Sequence, residues 1–157
     1  MEPIPAQRAR AAIDASGIAY QATEHGPVRS LEEAAAARGL TPDRVLKTIV
    51  VRRADDDFLF VLVPGGRTIS WPRLRAQLGV SRLSMPDAAG ALAVTGYERG
   101  TITPFGSTGP WPVLADSAIP AGPVSIGGGA HGTAFTVDSA DLVRALAAQV
   151  ADVTEPE

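Results

Sequence analysis

The segment KTIVVRRADDDFLFVLV, residues 47–63, decides the fold. It begins with the largely β-branched run Lys47–Val51 and ends with a second apolar run, Phe58–Val63, while three aspartates stand between them. Apolar runs that flank a short polar turn predict a β-hairpin. Adjacent carboxylates can also hold a cation, but at a hairpin tip with no further ligand they favour a solvated turn.

Further helices and strands are predicted on both sides of this hairpin. Before it, a helix over 6–16 ends at Gly17, a strand covers 18–23, and an Ala-rich helix begins at Ser30 and ends at Gly39. After it come helices over 71–78, 86–92 and 138–150, and strands over 111–115, 124–126 and 133–137. Strands joined in hairpins predict a single α/β domain with a mixed sheet, whose core spans about 6–150. The acidic tail, 151–157, is expected to fray.

Composition excludes several classes of protein. The 157 residues contain no cysteine and two histidines, so a disulfide framework, a thiolate zinc site and a cysteine nucleophile are excluded. No apolar run reaches the roughly 18 residues of a membrane span, and residues 1–10 lack the apolar core of a signal peptide. We therefore expect a cytoplasmic protein without membrane contact. The net charge of −3 argues against a tight, sequence-independent nucleic-acid binder, although it leaves room for a local basic patch, and no DNA partner is expected.

Lys47 is the single lysine among 14 basic residues, and the chain has no asparagine. In such an Arg-rich composition the remaining lysine is either a chance survivor or a position where arginine cannot serve, since only lysine loses its proton readily when buried. Strand alternation places Lys47, Ile49 and Val51 on one face. The ammonium could lie at the edge of a buried surface with a lowered pKa and act as proton acceptor or as cation, or it could extend to solvent.

Two glycine-bearing loops are candidate binding elements. The first, Thr95–Gly106, contains G-x-x-x-P at Gly100–Pro104, and the second is GGGAHG at 127–132. The second loop fits neither a P-loop nor a dinucleotide-binding motif. Backbone N–H groups of the first loop, at Gly100, Thr101 and Ile102, could line a carbonyl or phosphate pocket. The glycines of the second loop, Gly128 and Gly129 among them, suit a backbone that approaches a ligand or another strand. His131 could orient a substrate or be structural.

The densest basic stretch comprises Arg67, Arg73, Arg75 and Arg82. It could be a solvated helix face or a surface that contacts phosphates. No G-x-S-x-G elbow is present, so any hydrolysis is expected to use water directly.

Four features in this order resemble one family. These are Glu24-His25 before the capped Ala-rich helix, VLKTIVV at 45–51, TGY at 95–97 followed by G-x-x-x-P-x-G at 100–106, and the loop 127–132. Together they resemble the YbaK / prolyl-tRNA synthetase-associated editing domain over about residues 6–150.

The resemblance implies a mixed sheet curled into a barrel-like core with surrounding helices. It also implies a free-standing aminoacyl-tRNA deacylase that edits Cys-tRNA(Pro) or Ala-tRNA(Pro) in trans. Its partners would be the acceptor end of mischarged tRNA and, as a second candidate, an aminoacyl-tRNA synthetase. No metal and no organic cofactor is implied.

The family's catalytic lysine falls on Lys47, its G-x-x-x-P loop on Gly100 and Pro104, and its late glycines on Gly128 and Gly129. Thr23 and Thr101 differ from the residues usual in YbaK-type members, and they are expected to shape the amino-acid pocket. A non-catalytic tRNA- or nucleotide-binding module is the alternative, and a small-molecule esterase is a third candidate. The alternative module would bind tRNA through the four arginines Arg67, Arg73, Arg75 and Arg82.

Overall fold

The computed structural model describes residues 2–157. The α-helices within this range are α1 Ile4–Ser16, α2 Leu31–Ala37, α3 Trp71–Leu78, α4 Ala88–Thr95 and α5 Ser139–Ala145. The strands are β1 Tyr20–Glu24, β2 Leu46–Ala54, β3 Asp57–Pro64, β4 Arg67–Ile69, β5 Val113–Asp116, β6 Pro123–Gly127, β7 Thr133–Asp138, β8 Gln149–Ala151 and β9 Thr154–Pro156. The residues described include no helix with the length and apolar character to cross a membrane.

The strands form three sheets with the orders β1-β7-β6, β2-β3-β5-β8 and β4-β9. The β3–β5 and β5–β8 pairs are parallel and the other four are antiparallel. This confirms the expected mixed, mostly antiparallel α/β domain. The barrel-like core is not confirmed: across residues 2–157 the strands close no barrel, and the first two sheets meet through a bridge between Val45 and Ser125.

The predicted hairpin is confirmed as β2–β3, in which Lys47 pairs with Val63. Asp56 adopts a left-handed backbone conformation (φ 53°) at the turn. The flanking aspartates form ion pairs with arginines of β2, Asp55 with Arg52 and Asp57 with Arg53. The aspartates therefore form the turn and balance two arginines.

Side chains of β2 alternate between two apolar clusters, as expected for a strand. Leu46 and Val50 belong to the larger cluster, which also contains Phe135. Val51 belongs to the smaller cluster, with Leu74 of α3. Each fully buried side chain of this size contributes about 1.5–3 kcal/mol, so both faces of the hairpin hold it in place.

The C-terminal region differs from the expectation. The last helix ends at Ala145 rather than at residue 150. The tail 151–157, which was expected to fray, contains the last residue of β8 and the whole of β9. Ala147 has a left-handed φ of 50°, which is incompatible with a continued helix. Val153 and Thr154 are fully buried, because both donate hydrogen bonds to the carboxylate of Asp116. Their partner is distant in sequence, so local pattern could not reveal it.

Candidate active site

Strand β2 lies at the edge of its sheet and leaves part of its backbone unpaired. At one end, Arg52 N donates to Ser84 O at 2.7 Å and Arg52 O accepts from Ser84 N at 3.1 Å. Opposed residues of an antiparallel pair alternate between hydrogen-bonded and non-bonded positions. Thr48 and Val50 lie four and two residues before Arg52 on the same strand. Their N–H and C=O groups therefore also point away from β3.

The free edge of β2 lines a cavity of about 360 Å³, which we call the edge cavity. The opposite wall is largely aliphatic and comes from Met85, Pro86, Ala91 and Ile102. Thr48 Oγ1 is buried here and has no hydrogen-bond partner within residues 2–157. Free peptide groups on one side and apolar side chains on the other suit a small apolar group that carries polar substituents.

A second space of about 440 Å³, the histidine cavity, adjoins the first. Arg38, Gly100 and Gly127 line both cavities. Its other walls include His25 and His131, which are the two histidines of the chain. The two cavities thus form a continuous site with an apolar part and a polar part.

Lys47 lines the edge cavity, but its ammonium is not desolvated. The side chain is 44% exposed, and Nζ lies 3.1 Å from Glu157 Oε1 and 3.2 Å from Arg67 O. Of the two alternatives for this side chain, the structure has the one that extends to solvent, because the side chain leaves the apolar strand surface and reaches a carboxylate. Its role in catalysis stays a prediction.

The TGY motif fixes the loop that carries Gly100. Thr95 Oγ1 accepts from Tyr97 N at 3.1 Å, and Tyr97 Oη donates to Phe105 O at 2.7 Å. Arg8 of α1 donates to Gly96 O and Gly106 O, and its guanidinium lies 4.6 Å from the centre of the Tyr97 ring. Burial raises the pKa of Tyr97, which therefore stays protonated as a donor.

Gly100 and Ile102 are the predicted loop residues that line a cavity. Gly100 has a φ of 90°, and a Cβ there would meet only His131 Cε1, at 3.6 Å. Thr101 N already donates to Glu98 O at 3.0 Å. Of the three predicted donors in this loop, Gly100 and Ile102 therefore keep their N–H groups for a ligand.

The other predicted glycines are engaged inside the protein. Gly128 N donates to Thr133 O at 2.9 Å and Gly129 N to Thr101 O at 3.1 Å. Neither lines the edge or the histidine cavity, where Gly127 lies instead. These two N–H groups hold the two loops in place rather than facing the cavities.

The remaining predicted site residues are dispersed. Thr23 pairs with Ala134 on the β1–β7 ladder, and neither Thr23 nor Pro104 lines the two cavities. His131 is exposed, with Nε2 3.4 Å from Glu98 Oε2. Of this group only His131 contributes to the site as the structure places it.

The four predicted tRNA-contact arginines separate into two pairs. Arg67 Nε donates to Thr154 Oγ1 at 2.7 Å and Arg73 Nη1 to Thr154 O at 2.7 Å, so both hold β9. Arg75 and Arg82 line a shallow surface cavity of about 390 Å³. Arg52 and Arg53, adjacent in sequence and not singled out from it, line the same cavity.

Sequence reasoning also missed Arg38 and Thr48, and it used His25 only as part of a motif. Arg38 ends the Ala-rich helix α2, where a basic residue is ordinary. Thr48 resembles any β-branched strand residue. No local signal marks these side chains, because their contacts come from chain segments far apart in sequence.

The family profile of the aminoacyl-tRNA editing domain matches residues 25–145. The matched range contains most of both cavity walls. This chain belongs to the aminoacyl-tRNA editing domain family.

Its curated relatives include proline–tRNA ligases. The ligase of Thermoanaerobacter sp. (strain X514) is 33% identical over 95 residues, which is 59% of this chain and 16% of the ligase. The ligase of Bacillus licheniformis is 26% identical over 121 residues, 76% of this chain and 21% of the ligase. The chain thus spans about a sixth to a fifth of the length of these relatives.

Solved structures share the fold over nearly the whole chain. A crystal structure described as a candidate trans-editing enzyme for prolyl tRNA synthetase has a TM-score of 0.88 and 23% identity, and the match covers 99% of each chain. A protein described only as hypothetical has a TM-score of 0.85 and 25% identity, over 94% of this chain and 99% of its own.

Proposed function

We propose that this protein hydrolyses the ester bond of mischarged aminoacyl-tRNA, acting in trans on Cys-tRNA(Pro) or Ala-tRNA(Pro). The observation that carries the proposal is that the free edge of the Lys47 strand and the Gly100 loop enclose the same apolar cavity. Membership of the editing family gives the substrate class, and its relatives among proline–tRNA ligases point to tRNA(Pro).

The edge cavity would take the amino acid. Its aliphatic wall suits a small side chain such as that of alanine or cysteine. The free C=O groups of Thr48 and Val50 are acceptors for the α-ammonium group, and the N–H groups of Gly100 and Ile102 are donors for the ester carbonyl. Donors fixed around developing negative charge stabilise a transition state by several kcal/mol.

Lys47 would supply positive charge at the ester. Its ion pair with Glu157 is about half exposed on both sides, and pairs of this kind contribute only about 0–1 kcal/mol. The ammonium can therefore turn to the substrate at small cost. Water attacks the carbonyl carbon, the bond between that carbon and the ribose oxygen breaks, and the ribose oxygen takes up a proton.

Deacylation of tRNA charged with Ala, Cys, Ser or Thr tests the proposal. We expect the wild-type protein to hydrolyse at least one of these esters, and Lys47→Ala to lower kcat by about a hundredfold or more. Glu157→Gln is the matched control, since it removes the same ion pair and keeps the amine. Full activity of Lys47→Ala and of Lys47→Arg would rule out a role for the ammonium.

Binding of tRNA without turnover is the second candidate, because the Lys47 ammonium is held by Glu157 and Arg67 O. In that case every charged tRNA and simple esters would stay at background with the wild-type protein. Binding of tRNA would still fall when Arg75 and Arg82 are changed to Glu.

A further inference from the structure

Arg38 lies where the two cavities meet. It follows α2, and its side chain lines the edge cavity and the histidine cavity. Nη1 donates to Ser125 Oγ at 2.9 Å, while Nε is buried without a partner. Among residues 2–157 no carboxylate forms an ion pair with this guanidinium.

A half-buried guanidinium with one partner is far from satisfied. Arginine has five N–H donors in a planar fork that matches the oxygens of phosphate or carboxylate. Removing a charge from water without a counter-charge is costly. Burial lowers the pKa of Arg38, yet an arginine remains charged at neutral pH. The position is therefore complementary to an anion that enters from one of the cavities.

His25 gives the histidine cavity a second unsatisfied group. Its Nδ1 lies 2.8 Å from Gly26 O, and because a carbonyl only accepts, Nδ1 is the donor. Nε2 of the neutral ring is then an acceptor, and it is buried without a partner among the residues described. A ligand hydroxyl in this cavity would be a suitable donor.

We propose that Arg38 binds the phosphate of the 3′-terminal nucleotide of the tRNA, with the ribose beside His25 and the amino acid in the edge cavity. The proposal rests on the proposed function. In an aminoacyl ester the carboxyl group of the amino acid is consumed, so the nucleotide phosphate is the nearest anion to the reacting bond.

Titration of the intact protein with adenosine 5′-monophosphate and with adenosine, followed by calorimetry, tests the phosphate contact. We expect the wild-type protein to bind the monophosphate at least about tenfold more tightly than adenosine. Arg38→Gln should remove this preference and leave the affinity for adenosine unchanged, whereas Arg38→Lys should retain part of it. Arg29→Gln, an exposed arginine outside both cavities, is the charge-matched control.

A second titration, with an analogue that lacks the ribose hydroxyls, tests the contact between His25 and the ribose. The wild-type protein should bind adenosine monophosphate more tightly than its 2′,3′-dideoxy analogue, and His25→Phe should bind both equally. Thermal unfolding of each variant verifies that the fold is intact.

The outcomes separate this proposal from the proposed function. Monophosphate binding that depends on Arg38 supports the anion site even when no charged tRNA is hydrolysed. Deacylation by Arg38→Gln with the wild-type KM overturns the anion site while the deacylase stands. Equal binding of the monophosphate and adenosine by the wild-type protein, or displacement of the monophosphate by free alanine or proline, also overturns it.

Discussion

Two regions of this molecule use polar side chains in opposite ways. In the C-terminal corner, formed by β4, β9 and Asp116, the buried carboxylate accepts from Ala118 N, Val153 N and Thr154 Oγ1. Arg67 and Arg73 complete the corner through Thr154. In the cavity wall, formed by Arg38, Thr48 and His25, each side chain has a buried nitrogen or oxygen that finds no partner among the described residues.

The polar groups of the C-terminal corner stabilise the fold, whereas those of the cavity wall are available to bind a ligand. Buried polar atoms are nearly always paired in folded proteins, so a cluster of exceptions needs an explanation. Among residues 2–157 there are four such side chains: Arg38, Thr48 and His25 line two adjoining cavities, and Ser107 lies outside them. The satisfied network lies elsewhere. A basic residue type alone does not mark a binding site, since Arg67 and Arg73 are arginines too and hold β9 in place.

The largest expected effect is on the C-terminal corner. Asp116→Ala leaves two buried donors and one part-buried donor without their acceptor, and we expect the free energy of unfolding to fall by about 3–5 kcal/mol. Chemical denaturation measures it. Asp152→Ala is the control, because Asp152 is an exposed partner of Arg73 and should change stability by less than about 0.5 kcal/mol. Similar small losses in both variants would refute the view of the corner as a structural network.

The next effect concerns the backbone behind the cavity wall. Gly129 has a φ of 88°, and a Cβ there would lie 2.7 Å from Pro5 O. Gly129→Ala should therefore cost about 2–3 kcal/mol of stability. Gly66→Ala has a similar φ of 83° but no atom within 4 Å, so it should cost only about 1 kcal/mol. Equal losses in thermal unfolding would show that the loop can move away from α1.

Arg38→Gln should behave unlike Asp116→Ala. We expect the free energy of unfolding without ligand to stay within about 1 kcal/mol of wild type, because the variant removes a poorly satisfied charge and keeps an N–H for Ser125. The same denaturation series measures it. A loss of stability as large as that of Asp116→Ala would show that Arg38 stabilises the fold. The cavity wall would then not differ from the C-terminal corner in the role of its polar groups.

The smallest effect appears only at high pH and involves Tyr97, behind the Gly100 loop. Burial raises its pKa above the ordinary 10.0, so above about pH 10 the unfolded chain has lost a proton that the native state keeps. Stability should then fall as pH rises. Tyr97→Phe should lessen this fall while losing about 1 kcal/mol at neutral pH with its bond to Phe105 O. Denaturation at a series of pH values measures the fall. An equal loss of stability per pH unit in the wild-type protein and in Tyr97→Phe would contradict a contribution from Tyr97.

The sequence determined the elements whose signals are local. The β-branched run and the aspartates predict the β2–β3 hairpin, Gly17 ends α1 as expected, and α3 covers the expected residues 71–78. The motif around Lys47 and the TGY loop identified the family, since each motif is a short run whose residues act together. These features depend on backbone propensity and on spacing, which a sequence displays directly.

Only the tertiary structure decided which polar groups are satisfied. Arg38 and Ser125 are 87 residues apart, and Asp116 and Thr154 are 38 apart, so no local pattern connects them. The pairing of β9 and the exposure of Lys47 depend on the same long-range contacts. Whether a buried polar group has a partner depends on distances in the folded protein. Asp116 in the C-terminal corner has donors within hydrogen-bond distance, whereas the described residues offer no such partner to the buried atoms of the cavity wall.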